Sequence, residues 1–219
     1  RKDMIFNVGA PGLDEIRTAK LPSPAATKKK FSIPADSPLI LCVQHSVSTE
    51  PDKSAREMTA TLAALASFAL PTILIYPNSD AGGRAIIDVI QSWEEKRLPW
   101  LKTFRSLPRA DYLAVMKAAA CMVGNSSSGI IEAASFSLPV INIGRRQAGR
   151  QRCGNTLDVT PDTPAISRAL GRIFTEKSLL RKLSSASNVY GDGRSSSRIV
   201  NVLTTVALGP GILKKQITY

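Results

Sequence analysis

The sequence predicts an α/β fold, in which a doubly wound parallel sheet forms a Rossmann-like domain. Short apolar runs without polar alternation recur along the chain, and helical patterns of about ten residues or more separate them. Strands that are buried on both faces have this continuous apolar character. With 219 residues, of which 43% are hydrophobic and only 5% aromatic, the chain can bury one core made of aliphatic side chains.

The first part of the chain is expected to differ from the rest. A short strand is predicted at residues 4–8, closed by turn residues Gly9, Pro11 and Gly12, and a helix at 13–19. Residues 21–38 are rich in Pro, Ser and Lys and contain the lysine run 28–30. This composition predicts an exposed, mobile connector without a chemical role.

Strands and helices alternate after the connector. Apolar runs predict strands at 39–44, 72–76, 102–105, 121–123 and 140–143. Apolar positions at helical spacing predict helices at 52–68, 82–95 and 110–119, and another that contains Glu132. After Asp158 the pattern is helical, with helices expected at 164–174, 177–186 and 194–208. No internal repeat is visible.

Net charge and cysteine spacing indicate which kinds of ligand the protein could bind. The net charge of +12 suits either nucleic acid or a cleft for phosphorylated ligands. Because no basic run is interleaved with aromatic residues, the second alternative is favoured and no nucleic-acid partner is expected. The three cysteines lack metal-ligand spacing, which predicts reduced thiols in a cytosolic protein with no metal or cofactor.

The ends and the hydropathy of the sequence suggest a part of a longer protein. No apolar stretch approaches the ~20 residues of a membrane span, and no signal peptide precedes the first strand pattern. The sequence starts at Arg1 without an initiating Met and runs directly into that pattern. A missing N-terminal segment is therefore expected, and no membrane contact.

The segment from Cys121 to Glu132 is the most informative. An apolar run gives way to Gly124, Asn125 and three consecutive serines, and an apolar-periodic segment follows. This is the pattern of a strand, a tight turn and a helix N-terminus, which together bind anions. Glu132 would repel a phosphate but suits sugar hydroxyls, so the segment predicts a pocket for a nucleotide or nucleotide sugar.

Polar residues follow each predicted strand, and parallel strands bring such loops to one edge of the sheet. His45, the only histidine, would point into the crevice there and could donate to a phosphate or act as an acid near neutral pH. Other residue types leave alternatives open: Asn78 could cap a helix or bind substrate, and Ser126 and Ser127 could cap a helix or bind phosphate. Arg145, Arg146, Arg150 and Arg152 could form a solvated loop or neutralise a diphosphate.

Several ordered motifs resemble the hydrolysing UDP-N-acetylglucosamine 2-epimerases. They are Gly124-Asn125-Ser126-Ser127-Ser128-Gly129-x-x-Glu132, Asn142-Ile143-Gly144-x-Arg146-Gln147-x-Gly149-Arg150, Gln44-His45-x-Val47-x-Thr49, Pro77-Asn78-x-Asp80-Ala81-Gly82 and Tyr190-Gly191-Asp192-Gly193. The resemblance implies the C-terminal, UDP-binding domain of a two-domain fold of the glycosyltransferase-B type. It implies a domain at 39–208, preceded by an interdomain connection at 1–38 and followed by a tail at 209–219.

The resemblance also implies roles for individual residues. Glu132 would bind the ribose, and Ser126, Ser127 and Arg146 would hold the diphosphate. Arg150 is also expected to belong to the UDP-binding site. The backbone near Leu107 would meet the uracil, Asn78 would face the diphosphate and sugar, and His45 would be the catalytic residue on this chain. Three positions depart from the family pattern: Ser46 replaces a proline, Arg145 a small residue and Arg109 an aromatic residue.

The implied reaction is elimination of UDP to a 2-acetamidoglycal, followed by hydration to N-acetylmannosamine. The substrate would be UDP-N-acetylglucosamine or a 4-amino-4,6-dideoxy relative of that sugar, on a route to sialic or nonulosonic acids. Most catalytic carboxylates would lie on the missing N-terminal domain. Two alternatives stay open, a glycosyltransferase of the same fold and a UDP-binding module without turnover, and so does homo-oligomerisation.

Overall fold

A computed structural model describes residues 5–207 and residue 209. Within these residues the Cα packing defines two compact units. One unit comprises residues 5–18 together with those from Tyr190 onward, and the other comprises Ala19–Val189. The expected domain boundaries at residues 38 and 208 stay a prediction.

The larger unit is built on one six-stranded sheet in which all strand pairs are parallel. The strands are β1 (Ile40–Val43), β2 (Thr72–Ile75), β3 (Leu101–Phe104), β4 (Cys121–Gly124), β5 (Val140–Ile143) and β6 (Thr156–Val159). Their order in the sheet is β3-β2-β1-β4-β5-β6. This is the order of doubly wound dinucleotide-binding folds, so the predicted fold class is confirmed.

Helices connect the strands. The larger unit contains α2 (Pro24–Lys30), α3 (Ser54–Ala66), α4 (Gly83–Glu94), α5 (Arg109–Ala118), α6 (Ser127–Ile131), α7 (Thr163–Thr175) and α8 (Lys177–Ser184), and 3₁₀ turns at Pro51–Lys53 and Ala133–Phe136. Alternate residues of the strands pack with α3, α4 and α7 in an aliphatic core that includes Cys42, Leu62, Leu74, Ile86 and Leu170. Among the described residues, no helix combines the length and apolarity that crossing a membrane requires.

The smaller unit contains α1 (Gly12–Thr18) and α9 (Ser195–Thr205). Asp14 accepts hydrogen bonds from the backbone N–H groups of Ser195 and Ser196 at 2.8 and 2.6 Å, which caps the start of α9. Residues 5–8 form no strand, so this part of the prediction was wrong, and Met4 lies outside the described residues. Leu208 and residues 210–219 of the predicted final helix and tail also lie outside them.

The predicted mobile connector is ordered instead. Ser23 caps α2 by accepting from the N–H of Ala26 at 3.2 Å, and Pro24 occupies its first turn. Lys28 donates from Nζ to the carbonyls of Ala35 and Ser37 at 2.8 and 2.9 Å. The Pro, Ser and Lys residues that suggested disorder therefore begin a helix and form side-chain hydrogen bonds that hold the segment after it.

Two further details differ from the sequence-based expectation. β6 was not predicted, because it is an edge strand with partly exposed residues and lacks a continuous apolar run. The helix expected to contain Glu132 is short: α6 ends at Ile131, and Glu132 lies between it and a 3₁₀ turn. The cysteines agree with expectation, since Cys42, Cys121 and Cys153 are buried and unpaired.

Candidate functional site

The candidate site lies at the carboxyl edge of the sheet, where β1 and β4 are neighbours. The connections from these two strands run in opposite directions across the sheet, which makes this the switch point at which doubly wound folds bind ligands. His45 follows β1 and Asn125 follows β4. The loop after β2 contributes Asn78 and Asp80, and the loop after β5 contributes Arg146 and Gln147.

Gly124 lets β4 approach β1 closely at this point. Its φ is +131°, and a Cβ added there would lie 2.0 Å from the carbonyl oxygen of Val43. Only glycine fits this position without displacing backbone atoms. The close approach brings Asn125 directly beside the chain that leaves β1.

Asn125 ties three loops together. Its Oδ1 accepts from the backbone N–H of His45 at 2.7 Å, and its Nδ2 donates to the His45 carbonyl at 2.8 Å. Its own carbonyl accepts from Nε2 of Gln147 at 2.8 Å and from Nη1 of Arg146 at 3.3 Å. Asn125 is only 1% exposed, so these hydrogen bonds satisfy a buried amide.

The His45 ring is held in one tautomer. The backbone N–H of Asn78 donates to Nδ1 at 3.0 Å, so the neutral ring carries its proton on Nε2. Burial, and then the positive charge of Arg146, lower the pKa of His45 to about 4, although Asp80 acts in the opposite direction. At neutral pH the ring is therefore an uncharged hydrogen-bond donor rather than an acid.

A polar chain connects this histidine to the β5 loop. Nδ2 of Asn78 donates to Asp80 at 2.7 Å, and the same carboxylate oxygen lies 3.4 Å from Nη2 of Arg146. The Asn78 amide and the Arg146 guanidinium hold the pKa of Asp80 below its usual range. Asp80 is therefore ionised and orients the arginine beside the crevice.

A cleft of about 590 Å³ opens beside this chain. It is lined by residues 47–49 and by Asp80, Ser127, Arg145, Arg146, Gln147 and Arg150. Three arginines against one carboxylate give the cleft a positive balance that suits a diphosphate. Arg145 also forms an ion pair with Glu50, whereas Arg146 is turned toward Asn125 and Asp80.

The three serines after β4 make different contacts. Ser126 caps α6, with its Oγ accepting from the N–H of Ser128 at 3.4 Å. The hydroxyls of Ser126 and Ser128 are 2.9 Å apart, and Tyr112 of α5 is 2.6 Å from Ser128. Ser127 lines the cleft. Because α6 has only five residues, its dipole adds little, and the hydroxyls and arginines are the groups here that could bind an anion.

Glu132 has a partner that no sequence motif indicates. Arg109, at the start of α5, contacts it at 2.6 and 3.3 Å, and the Glu132 side chain is 13% exposed. Leu107 is half-buried in the loop before α5, two residues from Arg109. Glu132 and Leu107 are not among the residues that line the 590 Å³ cleft, and the arginine that contacts Glu132 is Arg109.

The predicted residues thus fall into two groups. His45, Asn78, Ser127, Arg146 and Arg150 lie in or beside the arginine-lined cleft, and Ser126 adjoins it. Leu107 and Glu132 lie toward α5. The connecting roles of Asn125, Asp80, Gln147, Tyr112 and Arg109 were missed, and only the position of the first three inside the quoted motifs could have indicated them. Among the described residues, no cluster of potential metal ligands occurs.

Comparison with known proteins identifies the family. The family model for UDP-N-acetylglucosamine 2-epimerase matches residues 1–204. The chain is 36% identical over 215 residues to the UDP-N,N'-diacetylbacillosamine 2-epimerase (hydrolyzing) of Legionella pneumophila, covering 98% of this chain and 55% of that protein. It is 31% identical over 155 residues to the GDP/UDP-N,N'-diacetylbacillosamine 2-epimerase (hydrolyzing) of Campylobacter jejuni, covering 70% of this chain and 40% of that protein.

The fold is shared with solved structures. The UDP-GlcNAc 2-epimerase from Neisseria meningitidis bound to UDP-GlcNAc superposes with a TM-score of 0.76 at 16% identity, covering 94% of this chain and 57% of that one. This likeness confirms the expected α/β fold over nearly the whole chain. The chain spans about half the length of the curated relatives it matches. Because the family model extends over nearly the whole sequence, the chain belongs to the UDP-N-acetylglucosamine 2-epimerase family.

Proposed function

We propose that this chain is the UDP-sugar-binding half of a hydrolysing UDP-sugar 2-epimerase. The observation that carries the proposal is the cleft at the β1–β4 switch point, where Arg146 and the neutral His45 are joined through Asn78 and Asp80. A guanidinium and an imidazole N–H on loops at the same edge of the sheet suit the oxygens of a nucleoside diphosphate.

The remaining roles follow from this placement. Arg146 and Arg150 would neutralise the diphosphate, with Ser126 and Ser127 donating hydroxyl hydrogen bonds. Glu132, aimed by Arg109, would accept hydrogen bonds from the ribose hydroxyls, and the backbone near Leu107 would meet the uracil. Asn78 would lie at the junction of diphosphate and sugar.

The chemistry would proceed in two steps. In the first, a proton leaves C2 of the sugar, the C1–O bond breaks and UDP departs, which gives a glycal. In the second, water adds across the double bond to give the 2-epimeric sugar. His45 would donate from Nε2 to the departing diphosphate and so stabilise the charge that develops there. The carboxylates that move the C2 proton would come from a second domain.

The sugar is proposed from the relatives. Both the Legionella and Campylobacter proteins are named for N,N'-diacetylbacillosamine, a 4-amino-4,6-dideoxy relative of N-acetylglucosamine. We therefore propose that UDP-N,N'-diacetylbacillosamine is a better substrate than UDP-N-acetylglucosamine. The three buried, unpaired thiols support a reducing compartment such as the cytosol.

Calorimetric titration of this chain with UDP tests the binding site. We expect saturable binding that weakens in Arg146→Gln, and an absence of binding would refute the proposal. Turnover is tested on the chain joined to the N-terminal half of its family. UDP released from the sugar nucleotide without an acceptor supports an epimerase, whereas release only with an acceptor sugar would show a glycosyltransferase.

A further inference from the structure

We propose that Asn125 is a positioning residue, which holds His45 and Arg146 at the spacing that lets both contact one diphosphate. The inference rests on the proposed function and adds to it a residue that touches no substrate. Neither His45 nor Arg146 is placed by a regular strand pair, because β1 ends at Val43 and β5 ends at Ile143.

Hydrogen bonds from Asn125 hold the chain beyond the carboxyl ends of β1 and β4. Its backbone N–H still donates to the carbonyl of Val43 at 3.1 Å, as in a parallel ladder. Beyond that point its side-chain amide replaces the backbone, accepting from the N–H of His45 at 2.7 Å and donating to the carbonyl of the same residue at 2.8 Å. The two bonds hold the peptide groups on both sides of the His45 Cα.

The other end of the same residue reaches the β5 loop. The Asn125 carbonyl accepts from Arg146 at 3.3 Å and from Gln147 at 2.8 Å, so one residue connects the His45 backbone with the Arg146 guanidinium. Gln147 is 2% exposed and strengthens this link from inside the loop. A change at Asn125 therefore alters the relation between two ligand-binding side chains, not only the packing.

The chain offers a matched control for this residue. Asn155 is also fully buried, and its Nδ2 donates to the carbonyl of Leu138 at 2.8 Å, away from the cleft. Asn125→Ala and Asn155→Ala remove the same side chain, and each leaves a backbone carbonyl without its amide donor; Asn125→Ala also leaves the N–H of His45 without its acceptor. Both variants should be less stable than wild type, and only Asn125→Ala should change the positions of His45 and Arg146 beside the cleft.

The experiment compares UDP affinity and the His45 resonance in wild type, Asn125→Ala and Asn155→Ala. Because His45 is the only histidine, its imidazole signals are resolved in an NMR spectrum of the whole chain. We expect Asn125→Ala to weaken UDP binding about tenfold or more, and to lose most of the shift that saturating UDP causes in the His45 signal. Asn155→Ala should keep both.

Two outcomes would overturn the inference while leaving the proposed function intact. One is an Asn125→Ala protein that binds UDP as wild type does, with an unchanged response of His45. The other is an equal loss of affinity in both variants, which would indicate a general effect of stability. If Asn125→Ala does not fold, Asn125→Ser, which keeps a polar side chain but lacks the amide that makes both bonds to His45, is measured in the same way. Failure of wild type to bind UDP would instead refute the proposed function.

Discussion

The backbone N–H of Asn78 donates a hydrogen bond to Nδ1 of His45 at 3.0 Å, which leaves Nε2 as the donor of this ring. The contact joins the loops that follow β1 and β2, and it selects the tautomer before any ligand arrives. A neutral donor of this kind can bind an anion without first acquiring a proton. Burial of the same ring also lowers its pKa, with consequences for how the protein responds to pH.

We predict that His45 titrates far below an ordinary histidine. Burial, together with Arg146, lowers its pKa to about 4, so the imidazole signals should not move between pH 8 and pH 6. An NMR titration of the single histidine measures this directly. UDP should raise the pKa, because a diphosphate beside the ring favours the imidazolium. A midpoint near 6.5 in the free protein would contradict the buried geometry.

The same shift predicts a pH dependence of folding stability. The unfolded chain binds the His45 proton with a pKa near 6.5, and the folded chain only near 4. The unfolded state therefore holds more protons between these values, and the free energy of unfolding falls as the pH drops through that window. Urea unfolding at pH 7 and pH 4.5 measures the change. His45→Gln should lack the part of this change that comes from His45. Subtracting the change in the variant from that in wild type therefore removes the contribution of the carboxylates, which titrate in both proteins.

Arg146 should contribute more to UDP binding than charge alone. Arg146→Gln removes a guanidinium that Asp80 and the Asn125 carbonyl hold at the cleft, and we expect UDP affinity to fall by about tenfold to a hundredfold. Arg168→Gln on α7 is the control, since it removes the same charge from an exposed position outside the cleft. Calorimetry at two salt concentrations measures the UDP affinity of both variants, and so separates a specific contact of Arg146 from a general effect of charge. Equal losses in both variants would mean that UDP responds only to the overall charge of +12.

Glu132 should recognise the ribose hydroxyls. Its carboxylate is held by Arg109 at 2.6 Å, so two acceptor oxygens are fixed in orientation. We expect wild type to bind UDP more tightly than 2',3'-dideoxy-UDP, and Glu132→Gln to lose most of this discrimination. Comparing the ratio of the two dissociation constants cancels any general loss of affinity. A ratio that is unchanged in Glu132→Gln would place the ribose elsewhere.

Much of the sheet could be predicted because burial on both faces leaves an unmistakable apolar run. Val140–Ile143, all of whose residues are buried, was predicted at its observed bounds. Thr156–Val159 was not, since an edge strand with exposed Asp158 has no such run. Local composition also misled at Pro24–Lys30, where the helix depends on a Ser cap and on contacts of Lys28 beyond it.

The candidate site was predictable only in part, for a related reason. Residues that follow strands could be assigned to one edge, which is a property of the topology. Asn125 and His45 lie 80 positions apart in sequence, Arg109 and Glu132 lie 23 apart, and no local pattern specifies such pairs. His45 was expected as a donor or an acid, and only its burial and its bond to Asn78 favour the first.

The conformation of Gly124 gives a final prediction, which tests the approach of β4 to β1. In Gly124→Ala the new Cβ would lie 2.0 Å from the Val43 carbonyl oxygen, at a φ of +131° that side chains other than glycine rarely adopt. Separating the two strands would also lengthen the bonds from Asn125 to His45. We expect a loss of about 3 kcal/mol or more in the free energy of unfolding, and weaker UDP binding in the protein that remains folded.

Gly171→Ala in α7 is the matched control. Its Cβ would meet only Phe68 at 3.8 Å, so alanine should stabilise the helix by about 0.5–1 kcal/mol and leave UDP affinity unchanged. Similar stabilities in the two variants would show that the strands can separate without cost, and the close contact at Gly124 would then not determine the position of His45.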